Sequence, residues 1–256
     1  MMKRIVIMGA SSGIGLRTAE IFALTGWHVG VAARNEGPLR ALKEMFPTQV
    51  EYEVIDVTRS DATHKLTELI RRLGGMDVYF HVAGIFSENP SLDLDKEVAV
   101  TETNTTGFVR MVDTAYHYFC LTRIKGTIAA VTSVAGVKGI GRMAAYSASK
   151  RFQWNYLEAL EQLSNNRRAG ISFVDIRPGW VRTPLLDKER KYPVSMSLDN
   201  VAPLVVDAIE RKIRIAVVDW RWAIGVFFWR LIPGCLWVKM PVKVSRAVKR
   251  IPRPAK

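Results

Sequence analysis

Cysteine is scarce. Cys120 and Cys235 are the only two, which excludes a disulfide scaffold and a cysteine-based zinc cluster. The four histidines, His28, His64, His81 and His117, stand far apart, unlike the clustered ligands of a His-rich metal site. Acidic residues almost vanish from the end of the chain, where residues 211–256 hold 12 Lys and Arg against Asp219 alone. A membrane-spanning run is missing too. The apolar segment Trp222–Val238 has 17 residues, where a span needs about 20. Arg230 interrupts it at a cost of roughly 2.5–3.5 kcal/mol in lipid, and Pro233 breaks helix. At the other end, Met1 to Arg4 lead at once into Ile5-Val6-Ile7-Met8 and then glycine, too short an apolar stretch for a secretory leader. A reducing, cytoplasmic setting is therefore expected.

What is present suits a large single domain. A chain of 256 residues can bury about 75% of its unfolded surface and needs no staples. Apolar residues make up 48% and charged ones 24%, the balance of a globular chain rather than a disordered or collagen-like one. The net charge of +13 is unevenly placed: of 37 basic and 24 acidic residues, the first 210 positions carry 25 and 23. The body is nearly neutral, and the basicity belongs to the tail. Trp220, Trp222, Trp229 and Trp237, four of the seven tryptophans, lie there as well.

Short apolar or alternating runs at Arg4–Met8, His28–Ala33, Val50–Val57, Asp77–Val82, Gly126–Thr132, Ile171–Ile176 and Ile213–Val218 read as strands. Helical patterns fall between them at Gly13–Thr25, Gly37–Met45, Ala62–Leu73, Glu97–Leu121, Ala145–Arg168 and Val201–Arg211. Such alternation predicts an α/β fold, a doubly wound parallel sheet of about seven strands covered on both faces. No repeat or linker precedes residue 219. The expected division is a catalytic domain over residues 1–219 and an aromatic, basic extension over 220–256.

Between the first strand and first helix stands Gly9-Ala10-Ser11-Ser12-Gly13-Ile14-Gly15. Glycines here allow a tight turn, close backbone approach to a pyrophosphate, and close packing of helix on strand. The helix N-terminus then offers free N–H groups and a positive dipole end to phosphates. The second strand ends Ala32-Ala33-Arg34, with no acid at those positions to hold a ribose 2′-hydroxyl. Arg34 can fork onto a 2′-phosphate instead, so NADP(H) is favoured over NAD(H).

Tyr146 and Lys150 are four apart at the start of a helix and share one face. Chance gives roughly 0.4 Tyr-x-x-x-Lys pairs in a chain of this composition, and one occurs. Ser133 ends the fifth strand, on the side where an open α/β sheet meets its ligand. Asn104 lies in the preceding helix. Reducing a ketone requires a hydride and a proton. A tyrosine phenol, near pKa 10 when free, must be lowered to exchange protons near neutrality. A neighbouring ammonium is expected to lower it, and a serine hydroxyl can donate to the developing oxyanion.

Together these residues resemble the short-chain dehydrogenase/reductase family, over roughly residues 4–210. The family's glycine motif falls on Gly9, Gly13 and Gly15, and its Asn-Ser-Tyr-Lys tetrad on Asn104, Ser133, Tyr146 and Lys150. Its adenine-binding Asp falls on Asp56, followed by Val57. Its Pro-Gly is Pro178-Gly179, with Thr183 where a hydroxyl contacts the nicotinamide carboxamide. Cofactor contacts are also implied for Ser11, Ser12, Ile14, Ala83 and Gly84. The resemblance implies a Rossmann fold, NAD(P)(H), and chemistry at an alcohol or carbonyl carbon. In the family Lys150 also holds ribose hydroxyls and Asn104 helps position a relay water. Family helices matching 97–121 and 145–168 pair across subunits, implying a homodimer or homotetramer. Two departures stand out: Met8 replaces the usual Thr, and His81-Val82-Ala83-Gly84 replaces Asn-Asn-Ala-Gly. Both lost side chains brace the sheet, so reduced bracing with local compensation is expected, with His81 a hydrogen-bonded core residue.

The tail invites two readings. Tryptophans followed by Lys239, Lys243, Arg246, Lys249, Arg250, Arg253 and Lys256, interleaved with Val242, Val244, Ala247, Val248 and Ile251, suit peripheral contact with an anionic membrane. The same aromatic segment could cap the active site or bury in a subunit interface. The tail carries no nucleic-acid motif. The expected function is NADP(H)-dependent hydride transfer to the carbonyl, or from the alcohol, of a hydrophobic, lipid-like or steroid-like substrate. Residues 84–95, 134–143 and 180–198 are expected to touch that substrate. Two alternatives stay open: an NAD-dependent alcohol dehydrogenase of a small polar substrate, and a non-enzymatic nucleotide-sensing scaffold at a membrane.

Overall fold

The computed structural model describes residues 3–184 and 192–242. Seven parallel strands form one sheet: β1 (Arg4–Met8), β2 (His28–Ala33), β3 (Val50–Val54), β4 (Val78–His81), β5 (Thr127–Val131), β6 (Ser172–Pro178) and β7 (Ile215–Val218). Their order is β3-β2-β1-β4-β5-β6-β7. Along β1 the side chains alternate between two core layers. Ile5 and Ile7 join Phe22 and Val29 on one face, while Val6 and Met8 join Leu66 and Tyr79 on the other. A strand buried on both sides needs this continuous apolar run.

Helices cover both layers. α1 (Gly13–Leu24) packs beside a later helix of the same face, Leu198–Glu210. On the opposite face α3 (Ala62–Arg72) packs beside α5 (Phe108–Thr122). Between these in sequence, α2 (Glu36–Met45) leans on β3 and α4 (Leu94–Thr101) leans on α6 (Ala144–Asn166), which makes Leu198–Glu210 α7. The chain winds one way from β1 to β3 and the other way from β4 onward. The reversal opens a crevice outside the carboxyl ends of β1 and β4.

Several boundaries differ from the pattern-based expectation for local reasons. β3 stops at Val54 instead of Val57 because the Asp56 carboxylate accepts from both the amide and the hydroxyl of Thr58 (3.0 and 2.8 Å), turning the chain. α7 begins three residues early because Ser197 Oγ accepts the Asn200 amide. The single helix expected over Glu97–Leu121 is interrupted by a wider π-helical turn, Glu102–Gly107, between α4 and α5. Such turns release main-chain groups from the helix ladder, and this one contains Asn104.

After β7 the chain forms α8 (Trp220–Leu231), with the Asp219 carboxylate accepting the Arg221 amide at 3.0 Å. It ends ahead of Pro233, and a single turn, Gly234–Trp237, follows. No helix among the described residues is long and apolar enough to cross a membrane. The interleaved basic and apolar run, from Lys243 onward, lies outside the described residues. α8 folds back on the body: a Cβ on Gly179 would run into the Trp222 indole, and Trp237 Nε1 donates to Gly139 O at 2.7 Å.

Two polar features stand inside the core. His81 is buried, accepts from the Tyr79 hydroxyl at Nδ1 (3.0 Å) and donates from Nε2 to Ala83 O (3.1 Å). On β6, Asp175 and Arg177 form a buried ion pair (2.5 Å). Thr132 Oγ1 donates to Asp175, Trp154 Nε1 donates to Thr132 Oγ1 at 2.8 Å, and the guanidinium lies 3.7 Å above the Trp154 ring.

Breaking that pair strands a charge. Asp175→Ala should lower unfolding free energy by roughly 3–5 kcal/mol, whereas Asp175→Leu combined with Arg177→Met should recover most of the loss; urea unfolding reads both. Burial, helped by the Lys150 charge, pushes the His81 pKa down to about 3. The unfolded chain takes up this proton near pH 6.5 and the folded one does not. This contribution is therefore fully present above about pH 6.5 and declines toward pH 3, by up to about 1.4 kcal/mol per pH unit. His81→Asn should flatten the stability–pH curve over that window relative to wild type.

Candidate active site

The carboxyl ends of β1, β4, β5 and β6 border a cavity of about 590 Å³. At its floor the turn after β1 runs close under the chain beyond β4. A Cβ on Gly9 (φ 98°) would stand 2.5 Å from Ala83 N, and one on Gly15 would collide with Gly9 O. Only glycine keeps the turn this low and α1 this close. Ser12, at the N-cap of α1, makes no side-chain capping bond, and no acid occupies the first turn. With Ser11, Ser12, Gly13 and Ile14 on the wall, the N-terminal amides and positive dipole end of α1 are offered to the cavity. A pyrophosphate fits this cradle.

Arg34, exposed at the end of β2, and Asp56 line one extremity. Partial burial of Asp56 works against its charge. Even so, the Thr58 amide and hydroxyl, with Arg34 and Arg59 nearby, hold its carboxyl below the ordinary value. Val57, Ala83, Gly84 and Thr183 also line the cavity, as do Pro178 and Gly179.

Ser133, Tyr146 and Lys150 converge at the other extremity. α6 carries Tyr146 and Lys150 one turn apart, and the Lys150 ammonium lies 5.7 Å from the Tyr146 ring centre. Lys150 is buried, and its Nζ donates to Val131 O (3.1 Å) and Gln153 Oε1 (3.0 Å). Burial lowers its pKa to about 8, with Asp175 opposing the drop. Ser133 Oγ accepts the Ala135 amide at 3.1 Å.

The expected depression of the Tyr146 pKa is not what the protein alone provides. Burial pushes it up to about 12, and the hydrogen bond with Ser133 pulls only partly against it. Phe86 packs against the ring, and two of the three Lys150 N–H groups go to Val131 O and Gln153 Oε1, so the neutral phenol is favoured. Asn104 stands one layer behind the cavity wall, fully buried. Its amide group brackets Ile85, accepting from the amide and donating to the carbonyl (2.9 Å each), while Nδ2 also donates to Ser149 Oγ. Its main-chain carbonyl, in the π-helical turn, accepts from Gln153 Nε2 at 2.8 Å. Gln153 thus joins Asn104 to Lys150. Gly15 likewise packs behind the wall rather than on it.

Sequence reasoning missed Gln153, although its spacing from Tyr146 and Lys150 puts it on their helix face. It also named segments of the chamber wall without the side chains that form it. Phe86 meets the Tyr146 ring edge-on at 5.0 Å and Trp180 at 5.8 Å. Trp222 and Trp229, from the inner face of α8, complete the enclosure. Their spacing of seven along an apolar helix was a usable signal. Capping of the cavity, one of the two readings of the tail, is thus realised by α8. Substrate-contacting segments were expected at 84–95, 134–143 and 180–198. The wall includes Phe86, Ile140, Met143 and Trp180 from them, and residues 185–191 lie outside the described residues.

The short chain dehydrogenase family matches residues 3–193, and the chain belongs to it. It is therefore an oxidoreductase that uses a nicotinamide cofactor and acts between CH–OH and C=O groups. Among similar proteins are an uncharacterized oxidoreductase of Myxococcus xanthus and a putative ketoacyl reductase of the monensin polyketide synthase of Streptomyces virginiae. The first is 28% identical, over 90% of this chain and 93% of its own; the second is 32% identical, over 81% of each. A glucose 1-dehydrogenase of Gluconobacter oxydans is 32% identical over 72% of this chain and 71% of its own. Of solved structures, an actinorhodin polyketide ketoreductase variant with NADPH superposes with a TM-score of 0.75 at 26% identity, covering 85% of this chain and 95% of that one.

Tyr146→Phe removes the only proton carried by that side chain's oxygen. It should lower kcat by about 10²–10⁴-fold while leaving the thermal unfolding midpoint close to wild type, as steady-state kinetics and a melting curve would record.

Proposed function

We propose that the protein is an NADP(H)-dependent carbonyl reductase of a hydrophobic, lipid-like substrate. The observation that carries this reading is the chamber around Tyr146, walled by Phe86, Trp180, Trp222, Trp229, Ile140 and Met143. Such a surface gains from excluding water around an apolar substrate and offers little to a small polar one. For the cofactor, Arg34 stands at the far extremity of the same cavity, and Arg34-Asn35 follow β2 where an acid would select a free ribose 2′-hydroxyl. The similarity to ketoacyl and polyketide ketoreductases supports the direction of the reaction.

A bound nicotinamide supplies the hydride to the carbonyl carbon. The remaining work belongs to the chain. Ser133 Oγ–H donates to the carbonyl oxygen as negative charge gathers there. Tyr146 delivers its hydroxyl proton to that oxygen. Its pKa near 12 keeps the phenol protonated at neutral pH, the form that reduction needs. The phenolate left behind is stabilised by the Lys150 ammonium on the next turn. Gln153 and Val131 O hold Lys150 in place. The aromatic walls exclude water, so these dipoles and charges act in a low-dielectric chamber.

Arg34→Asp tests the cofactor assignment. The ratio of kcat/KM with NADPH to that with NADH should fall by about 10–100-fold, the worth of one or two charge-assisted hydrogen bonds; an unchanged ratio would refute it. Within a series of ketones, kcat/KM should rise as the apolar substituent lengthens. A maximum at the smallest, most polar member would refute the hydrophobic-substrate reading.

A further inference from the structure

The inner face of α8 is used up by the cavity, and its outer face is not used by anything described. Trp222, Val226 and Trp229, spaced by four and three, turn inward. Trp220, Ile224, Phe227, Phe228 and Leu231, also at helical spacing, turn outward on the opposite side. Phe227 and Phe228 are 60% and 63% exposed, and Trp220 is 70% exposed. Beyond the helix, Leu236, Val238 and Met240 continue the exposed apolar surface. A soluble protein rarely leaves so many large apolar side chains together in water without a partner.

The charge of this stretch of the sequence selects the partner. Residues 211–256 hold 12 cations and a single acid, Asp219. Asp219 is already taken, its carboxylate accepting from the Arg221 guanidinium at 2.8 Å. Residues 243–256 alone bring six Lys and Arg and no acid. A second copy meeting this face about a two-fold axis would set like charge against like. An anionic lipid surface offers both complements at once, acyl chains for the aromatic stripe and headgroups for the cations.

We propose that the outer face of α8 docks the protein on an anionic lipid surface, with the chamber on the other side of that same helix. α8 is then both roof and anchor, and an apolar substrate dissolved in the lipid is brought to the chamber mouth without crossing bulk water. The docking stands apart from the proposed function; only this route for the substrate rests on it.

The test is flotation of the full chain with two kinds of vesicle, phosphatidylcholine alone and phosphatidylcholine mixed equally with phosphatidylglycerol. Wild type should float with the mixed vesicles and stay below with the neutral ones, and raised salt should weaken the binding. The double variant Phe227→Ser, Phe228→Ser should keep the wild-type melting temperature and lose more than about tenfold in vesicle affinity. The single variant Phe228→Ser, a smaller disturbance, should lose part of it. Three results would overturn the proposal: wild type left at the bottom with mixed vesicles, equal flotation on both compositions, or variants that float like wild type. A wild-type dimer in sedimentation that Phe227→Ser, Phe228→Ser dissociates, with no flotation of either, would assign the face to a second copy instead. Tyr146→Phe should float like wild type. Flotation by a protein with no turnover of any ketone would thus reject the proposed function and leave the docking intact.

Discussion

Taking the Lys150 ammonium out of water costs several kcal/mol unless its donors are satisfied and its charge is answered, and much of the site is arranged around that requirement. Val131 O and Gln153 Oε1 accept from it. Gln153 is fixed in turn by the Asn104 carbonyl, which is free to accept because the helix widens to a π turn at that point. Asp175 supplies a favourable field without touching it, and is itself held by Thr132 and Arg177. His81 stays neutral partly because a second cation beside Lys150 would be repelled. The same ammonium that is awkward to bury lies one turn from the Tyr146 phenol, 5.7 Å from its ring centre.

Burial acts in opposite senses on the two partners: it lifts the Tyr146 pKa and depresses that of Lys150. Both shifts express one cause, the poor solvation of charge in an aromatic chamber. At neutral pH the phenol is thus held protonated beside an ammonium whose own pKa is lowered. The apolar walls that exclude water are thereby the walls that set the protonation state.

Much of this was legible beforehand. The strand–helix alternation, the glycine turn, and the grouping of Ser133, Tyr146 and Lys150 follow from short-range patterns: runs of apolar residues, glycine at a forced turn, and two side chains four apart on a helix. Arg34 could be placed at the cofactor end because strand ends are local too. What the sequence did not show depends on distant residues. Asn104 sits behind the wall because the π turn and Ile85 draw it there. The Tyr146 pKa rises because burial strips the ring of water, with Phe86 from another segment packed against it. The Asp175–Arg177 pair gives no local sign of being buried, since its cover comes from Trp154 on α6.

The sequence by itself determined the order of elements, the family, and the grouping of Ser133, Tyr146 and Lys150, because each depends on neighbours within a few positions along the chain. Tertiary structure alone decided which face of the tryptophan-rich helix looks inward, how the chamber is roofed, and what protonation state the phenol keeps. Those are matters of desolvation and packing between segments as far apart as Gly179 and Trp222, or Gly139 and Trp237. No pattern read along one stretch of chain contains the other partner.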